Sequence, residues 1–291
     1  MNLYQANEVT KMLLEFKCSN HRSIKEKVSF SMIAGSDNTS EELLKKFGNF
    51  RILRSAVIYG ANGSGKSNFI SALSFMRDLV SNSINHQPGQ GVFQARHKLS
   101  AEETPSEYSI QFVRNDIRYA YGFSVKQNLI QDEYLYYFPR GRQVKVFERN
   151  GLDVRPGDRY KGVFDVSISI LKDNRLFLSC AANYSNIKEI EEAFMFFNTD
   201  IVVYNPEINN WTEYSIELMQ NNDMIKKVFV DMLRALGTGA KDVKVKLEKI
   251  KLTDLPQELQ LPDALKSLLG AQEGNRIEAK VIYDQFEVDL M

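Results

Sequence analysis

Apolar and polar residues alternate in a series of short stretches that begins near the start of the chain. Met12-Leu13-Leu14-Glu15-Phe16-Lys17 and Val28-Ser29-Phe30-Ser31-Met32-Ile33 each read as a strand. With Cys18-Ser19-Asn20-His21-Arg22-Ser23 between them, they predict a hairpin. Residues 108–113, 117–125, 129–138 and 144–148 repeat the period of two, rich in aromatics and separated by turns such as Arg114-Asn115-Asp116 and Lys126-Gln127-Asn128. They predict an antiparallel meander. The period turns helical at Phe69, Ile70, Leu73, Phe75, Met76, Leu79 and Val80, again over 187–197, and again over 221–236. In the last of these, Met224, Ile225, Val228, Phe229, Met232, Leu233 and Leu236 fall on one stripe. Further strands are expected at 201–204, 243–247 and 277–283, and a compact apolar run lies at 168–182. Residues 81–106, dominated by Ser, Asn, Gln, Gly and Pro, read as a long surface excursion.

The most informative stretch lies just ahead of the first helical pattern. Val57, Ile58 and Tyr59 read as a strand that runs into Gly60-Ala61-Asn62-Gly63-Ser64-Gly65-Lys66-Ser67, the phosphate-binding pattern G-x-x-x-x-G-K-S, followed by Asn68. The glycines at 60, 63 and 65 let successive backbone N–H groups turn inward around an anion, Lys66 supplies a charge that reaches outer phosphates, and Ser67 supplies a hydroxyl for Mg²⁺. The helix that follows adds the favourable end of its dipole. These residues imply a polyphosphate, with Mg²⁺, as the ligand.

Composition narrows the remaining choices. The 291 residues are 43% hydrophobic and 11% aromatic, enough for a sizeable core in one large or two ordinary domains. Thirty-seven basic residues balance 37 acidic ones, so charge does not advertise a nucleic acid, and any such contact needs a local patch. The two cysteines, Cys18 and Cys180, are far apart and read as buried reduced thiols. No signal-like leader and no long apolar run is present, so a cytoplasmic protein without a membrane span is expected. His21 reads as solvent-facing, and His86 and His97 are not spaced as a metal pair.

Several stretches taken in order resemble the ABC/SMC-type ATPases, and among them the bacterial AAA-labelled proteins of the RloA, abortive-infection and OLD kind. They are Leu14-Glu15-Phe16 with Asn20-His21-Arg22-Ser23, Ser31-Met32-Ile33-Ala34-Gly35, the loop from Tyr59 to Asn68, Tyr119-Ala120-Tyr121-Gly122-Phe123, and Leu176-Phe177-Leu178-Ser179. The fold class so implied is α/β: a P-loop NTPase lobe with a mixed sheet, an N-terminal hairpin, an antiparallel meander and a helical segment. Its expected divisions are a polar leader at 1–11, the ATPase lobe at 12–185, helices at 186–240 and returning strands at 241–291. The resemblance further implies that Asn62 and Lys66 approach the γ-phosphate, that Ser67 ligates Mg²⁺, and that Arg22 reaches the nucleotide from the side. A guanidinium suits that last task, since it binds phosphate bidentately or stacks on a base.

The sequence departs from that family's pattern in one respect. Hydrolysis of the ABC type needs an apolar strand ending in Asp-Glu and a Ser-Gly signature from a second subunit. Val228-Phe229-Val230-Asp231 follows helical period and lacks the Glu, Val281-Ile282-Tyr283-Asp284-Gln285 also lacks it, and Leu236-Gly237-Thr238-Gly239-Ala240 reads as a helix stop. The chain therefore looks like the N-terminal half of a longer ATPase. ATP·Mg binding with little or no turnover is expected of it, with homodimerisation and control of a nuclease or toxin effector in phage defence as properties of the complete protein. A DNA-repair ATPase of the SMC or RecF kind and a non-catalytic interaction module are the alternative readings.

Overall fold

In a computed structural model, which describes residues 10–36, 41–204, 211–251 and 273–289, the stretches with a period of two form the main sheet. The chain divides into two compact units, Met1–Val203 and Tyr204–Met291. The first is built on β1 (Lys11–Ser19), β2 (Val28–Ser31), β3 (Leu44–Phe47), β4 (Phe50–Leu53), α1 (Lys66–Asn82) and β5 (Ser106–Arg114). These are followed by β6 (Ile117–Lys126), β7 (Leu129–Phe138), β8 (Val144–Asn150), β9 (Asp153–Pro156), α2 (Asp165–Ser169), α3 (Phe177–Tyr184) and α4 (Lys188–Met195). Seven strands pair in the order β2-β1-β5-β6-β7-β8-β9, and every ladder is antiparallel. The hairpin and meander expected from alternation are both present.

Alternation also decides which face of the sheet is covered. Phe16, Tyr108, Ile110, Tyr121 and Phe123 point to one side, where they meet Phe69, Ala72, Met76 and Leu79 of α1 together with the inner residues of α3 and α4. A bulge in β1 between Leu13 and Glu15 turns Leu14 to the other face, where it packs with Ile52 and Val113 beneath the β3–β4 hairpin. Cys18 and Cys180 are both buried free thiols, and burial raises their pKa values to about 11 and about 12.

A carboxylate at the centre of this unit ties the sheet to α3. Glu133 on β7 accepts the N–H groups of Phe177 and Leu178 at 2.6 and 2.9 Å, the hydroxyl of Tyr121 at 3.0 Å, and Nη1 of Arg149 at 3.1 Å. Arg149 spends its remaining donors on the carbonyls of Gly151, Arg175 and Lys172. Both side chains are fully buried, and the pair is tolerated there because both Glu133 oxygens and all three Arg149 nitrogens have hydrogen-bond partners.

Two expectations for this unit fail. Residues 57–59 lie outside any strand, with Val57 83% and Tyr59 91% exposed. Their β-branched and aromatic side chains favour extension, but a strand requires a neighbour, and no described strand pairs with them. Residues 201–204 likewise form no strand; the chain leaves α4 through a single wide turn at Phe196–Asp200 that seats Phe196 on Phe112.

His21 is a further correction: it is 2% exposed rather than solvent-facing. Its Nδ1 lies 2.8 Å from the Tyr108 hydroxyl and its Nε2 3.3 Å from Ser71 Oγ, which joins the β1–β2 turn to both the sheet and α1. Burial, with a smaller contribution from neighbouring Arg22, lowers its pKa from 6.5 to about 4.

The second unit contains α5 (Trp211–Asn221), α6 (Asp223–Ala235), β10 (Asp242–Lys251), β11 (Glu273–Ile282) and β12 (Glu287–Asp289), with the strands in an antiparallel sheet. Asn222 caps α6 by accepting from the N–H groups of Met224 and Ile225. The stripe expected on α6 is divided: Val230 is buried with Phe229 and Leu233 packed beside it, whereas Met224, Val228 and Met232 are more than half exposed. Val228-Phe229-Val230-Asp231 is helical, and Asp284 sits in the turn between β11 and β12, where it pairs with Lys241.

Replacing Glu133 by Gln leaves the Arg149 charge buried without its counter-ion, and a loss of about 3–5 kcal/mol is expected in urea unfolding. His21 generates a pH-dependence. The unfolded chain takes up a proton as pH falls through about 6.5, but the folded chain does so only near 4. Its contribution is therefore complete above the first value and shrinks as pH falls between the two. The fall in urea midpoint from pH 7 to 5 is expected to be shallower in His21→Gln than in the wild type.

Candidate functional site

The site is assembled where α1 begins. Gly63 and Gly65 adopt φ of +80° and +96°, which L side chains rarely do, and the chain reverses there into the helix. At Gly60 the constraint is space, because a Cβ would lie 3.0 Å from Ser64 Oγ. Gly65 is the N-cap and no side chain caps the helix, while Phe69 N–H donates to the Gly65 carbonyl at 2.9 Å. The N–H groups of the first turn therefore face outward as donors at the positive end of the helix dipole.

Around this end lie the residues that the sequence nominated. Ala61, Asn62, Gly63, Ser64 and Ser67 are exposed, and Gly65, Lys66 and Asn68 are partly so. Lys66 Nζ donates to the carbonyls of Gly60 and Ala61, both at 2.8 Å, and Ser64 N–H donates to the Ala61 carbonyl at 3.2 Å. The structure thus gathers residues 60–68 at one helix end. Asn68 turns sideways, its Nδ2 donating to Ser23 Oγ at 2.7 Å. Arg22, adjacent in sequence to Ser23, is exposed, with φ of +50°.

Rigid packing sits directly behind the loop. Phe69, the fourth residue of α1, meets Phe16 at a ring separation of 5.3 Å and Phe30 at 5.8 Å. Phe75 does the same against Tyr108 at 5.0 Å. The helix that carries Lys66 and Ser67 is thus fixed to β1, β2 and β5 within its first turns.

The excursion at 81–106 is tied down along much of its length. Val92 is 1% exposed and its N–H donates to the Asn128 carbonyl, Arg22 N–H donates to the Ala95 carbonyl, and His97 N–H donates to Asn20 Oδ1. His86 Nδ1 lies 2.9 Å from the Asn174 carbonyl. Ser71 is the part of this neighbourhood that the sequence did not single out, and the bonds of His21 and Ser23 to α1 were not expected from it. The Asn in Ser19-Asn20-His21, a residue that tolerates left-handed backbone, is the one local signal of a constrained turn.

The chemistry this arrangement can perform is anion binding. Main-chain donors, an ammonium and a guanidinium-bearing turn surround the helix end, and a triphosphate fits that donor set. Ser64 and Ser67 add exposed hydroxyls to the same helix end, and hydroxyl oxygen is a ligand type that Mg²⁺ accepts while keeping several waters. Among the described residues, no carboxylate is bonded to residues 60–68, and no group of three or more His, Cys, Asp or Glu side chains could hold a metal. Also among the described residues, no helix is long and apolar enough to cross a membrane.

No curated protein matches the chain. Residues 55–161, less than half of the sequence, match the family described as an AAA domain, putative AbiEii toxin, type IV TA system. That span includes the loop, α1 and all the meander strands from β5 to β9, so it is in this part of the mixed α/β unit that the chain is similar to a P-loop ATPase of the AAA type.

Proposed function

We propose that residues 60–68 bind ATP·Mg and that the chain is the nucleotide-binding lobe of an ABC/SMC-like ATPase. The observation that carries this reading is the uncapped start of α1, opened by two left-handed glycines and flanked by Lys66 and Ser67. In this reading the N–H groups of the first helical turn and Lys66 hold the outer phosphates, Ser67 ligates Mg²⁺, Asn62 lies near the γ-phosphate, and Arg22 approaches from the β1–β2 turn. The nucleotide supplies the phosphoanhydride whose cleavage would drive the complete protein.

The residues that would activate water are not among these. An in-line attack needs a carboxylate or an equivalent group to orient the nucleophile, and the described contacts of the loop include none. The lobe therefore binds nucleotide and completes its site by ATP-dependent association, with a homodimer and an effector protein as partners. A role in phage defence is favoured by the matched family, which is described as a putative toxin of a type IV toxin–antitoxin system.

The test is a titration of the chain with ATP in the presence of Mg²⁺. Wild type is expected to bind in the micromolar range and Lys66→Ala at least tenfold more weakly, as removal of a charge-assisted bond of about 1.5–3 kcal/mol requires. Phosphate release by the isolated chain is expected to be no faster than that of Lys66→Ala. Turnover that depends on Lys66 would show that an acidic site exists outside the residues discussed.

A further inference from the structure

The turn between β1 and β2 is held far more firmly than a strand connection needs. Asn20 and Arg22, neither of them glycine, take φ of +51° and +50°, and each such residue costs on the order of 1 kcal/mol. Asn20 is bonded on every side. Its N–H donates to the Lys25 carbonyl, its Nδ2 to the Thr104 carbonyl at 2.9 Å, its Oδ1 accepts from His97 N–H at 3.0 Å, and its own carbonyl accepts from Ser106 Oγ at 2.5 Å. His21 and Ile24 exchange backbone bonds, both at 2.8 Å, and Arg22 N–H donates to the Ala95 carbonyl at 2.6 Å.

Two side chains of this turn reach across to α1. His21 bridges the Tyr108 hydroxyl and Ser71 Oγ, and Ser23 Oγ accepts from Asn68 Nδ2 at 2.7 Å. Ser23 also rests against the N-cap: a Cβ at Gly65 would lie 3.2 Å from its Oγ. Glycine at 65 thus serves the backbone reversal and also leaves room for the serine. Between these two tethers stands Arg22, exposed, its backbone fixed on both sides.

We propose that Ser23 is a positioning residue: it locks the β1–β2 turn to the phosphate loop so that Arg22 is presented to the nucleotide in a fixed place. Strain in the backbone of Arg22, whose N–H is bonded and whose two neighbours are tethered, is the kind of arrangement that surrounding structure must maintain, and here it is maintained beneath an exposed guanidinium. Ser23 acts through Arg22 and not on the phosphates directly. This inference rests on the nucleotide-binding reading above.

Binding of ATP·Mg is measured for wild type, Lys66→Ala, Arg22→Ala, Ser23→Ala, Ser23→Thr and the Arg22→Ala/Ser23→Ala double variant, with the melting temperature of each recorded without nucleotide. Ser23→Ala is expected to weaken binding about fivefold while melting within a degree or two of wild type, since one exposed hydrogen bond is lost. Ser23→Thr, which keeps the hydroxyl, is expected to restore affinity. The double variant is expected to bind no more weakly than Arg22→Ala alone, because the serine's effect passes through the arginine. Unchanged affinity in Ser23→Ala, or effects of the two substitutions that multiply in the double variant, would overturn the proposal while leaving the loop as the nucleotide site. If wild type ignores ATP·Mg, or Lys66→Ala binds as tightly as wild type, the nucleotide-binding reading itself is overturned, and the proposal with it.

Discussion

Everything at the candidate site depends on how α1 is pressed against the sheet. Its buried stripe of Phe69, Ala72, Met76, Leu79 and Val80 recurs at helical spacing and faces a wall of aromatic residues on β1, β5 and β6. Phe16, Tyr108 and Phe123 contribute rings 5.0–6.4 Å from Phe69 or Phe75. A helix that begins at a glycine N-cap with no side-chain cap gives up only about a few tenths of a kcal/mol at its first turn. That loss is tolerable because packing, not capping, holds the helix, and it leaves outward-facing donors at a rigid position.

The remainder of the first unit serves the same end from behind. Glu133 caps α3 from a strand far away in sequence and fastens it through Arg149 to the segment around Lys172 and Arg175. Arg175 in turn donates to the His86 carbonyl, just past α1, so the far end of the phosphate-loop helix is held by the same polar cluster. Charge is thus used locally. A chain with no net charge still presents Arg22 and Lys66 around one helix end, with no carboxylate among the described residues bonded to the loop.

Much of the sheet was legible because strand alternation and turn residues are local signals. The residues of β5, β6 and β7 declare their faces by themselves, and the Gly-Lys-Ser loop carries its own geometry. What escaped reading depends on distant partners. His21 looks like a polar turn residue until Ser71 and Tyr108, 50 and 87 positions away, enclose it. Residues 57–59 have strand-forming side chains but no described neighbour to pair with, and pairing is not visible in a single stretch. On α6, an apolar stripe broad enough to bury either of two faces did not say which one β10 and β11 would cover. The site residues were readable as a motif; their attachment to the β1–β2 turn was not.

The bonds that Lys66 makes to the carbonyls of Gly60 and Ala61 carry a consequence for selectivity. An ammonium already shared by two neutral oxygens gains little by exchanging them for another neutral acceptor. Only an incoming group with several negative oxygens offers an exchange that is favourable by more than thermal energy. In the proposed reading the loop would act as a charge filter, in which uncharged sugars, bases and alcohols leave Lys66 on its two carbonyls and a polyanion displaces them.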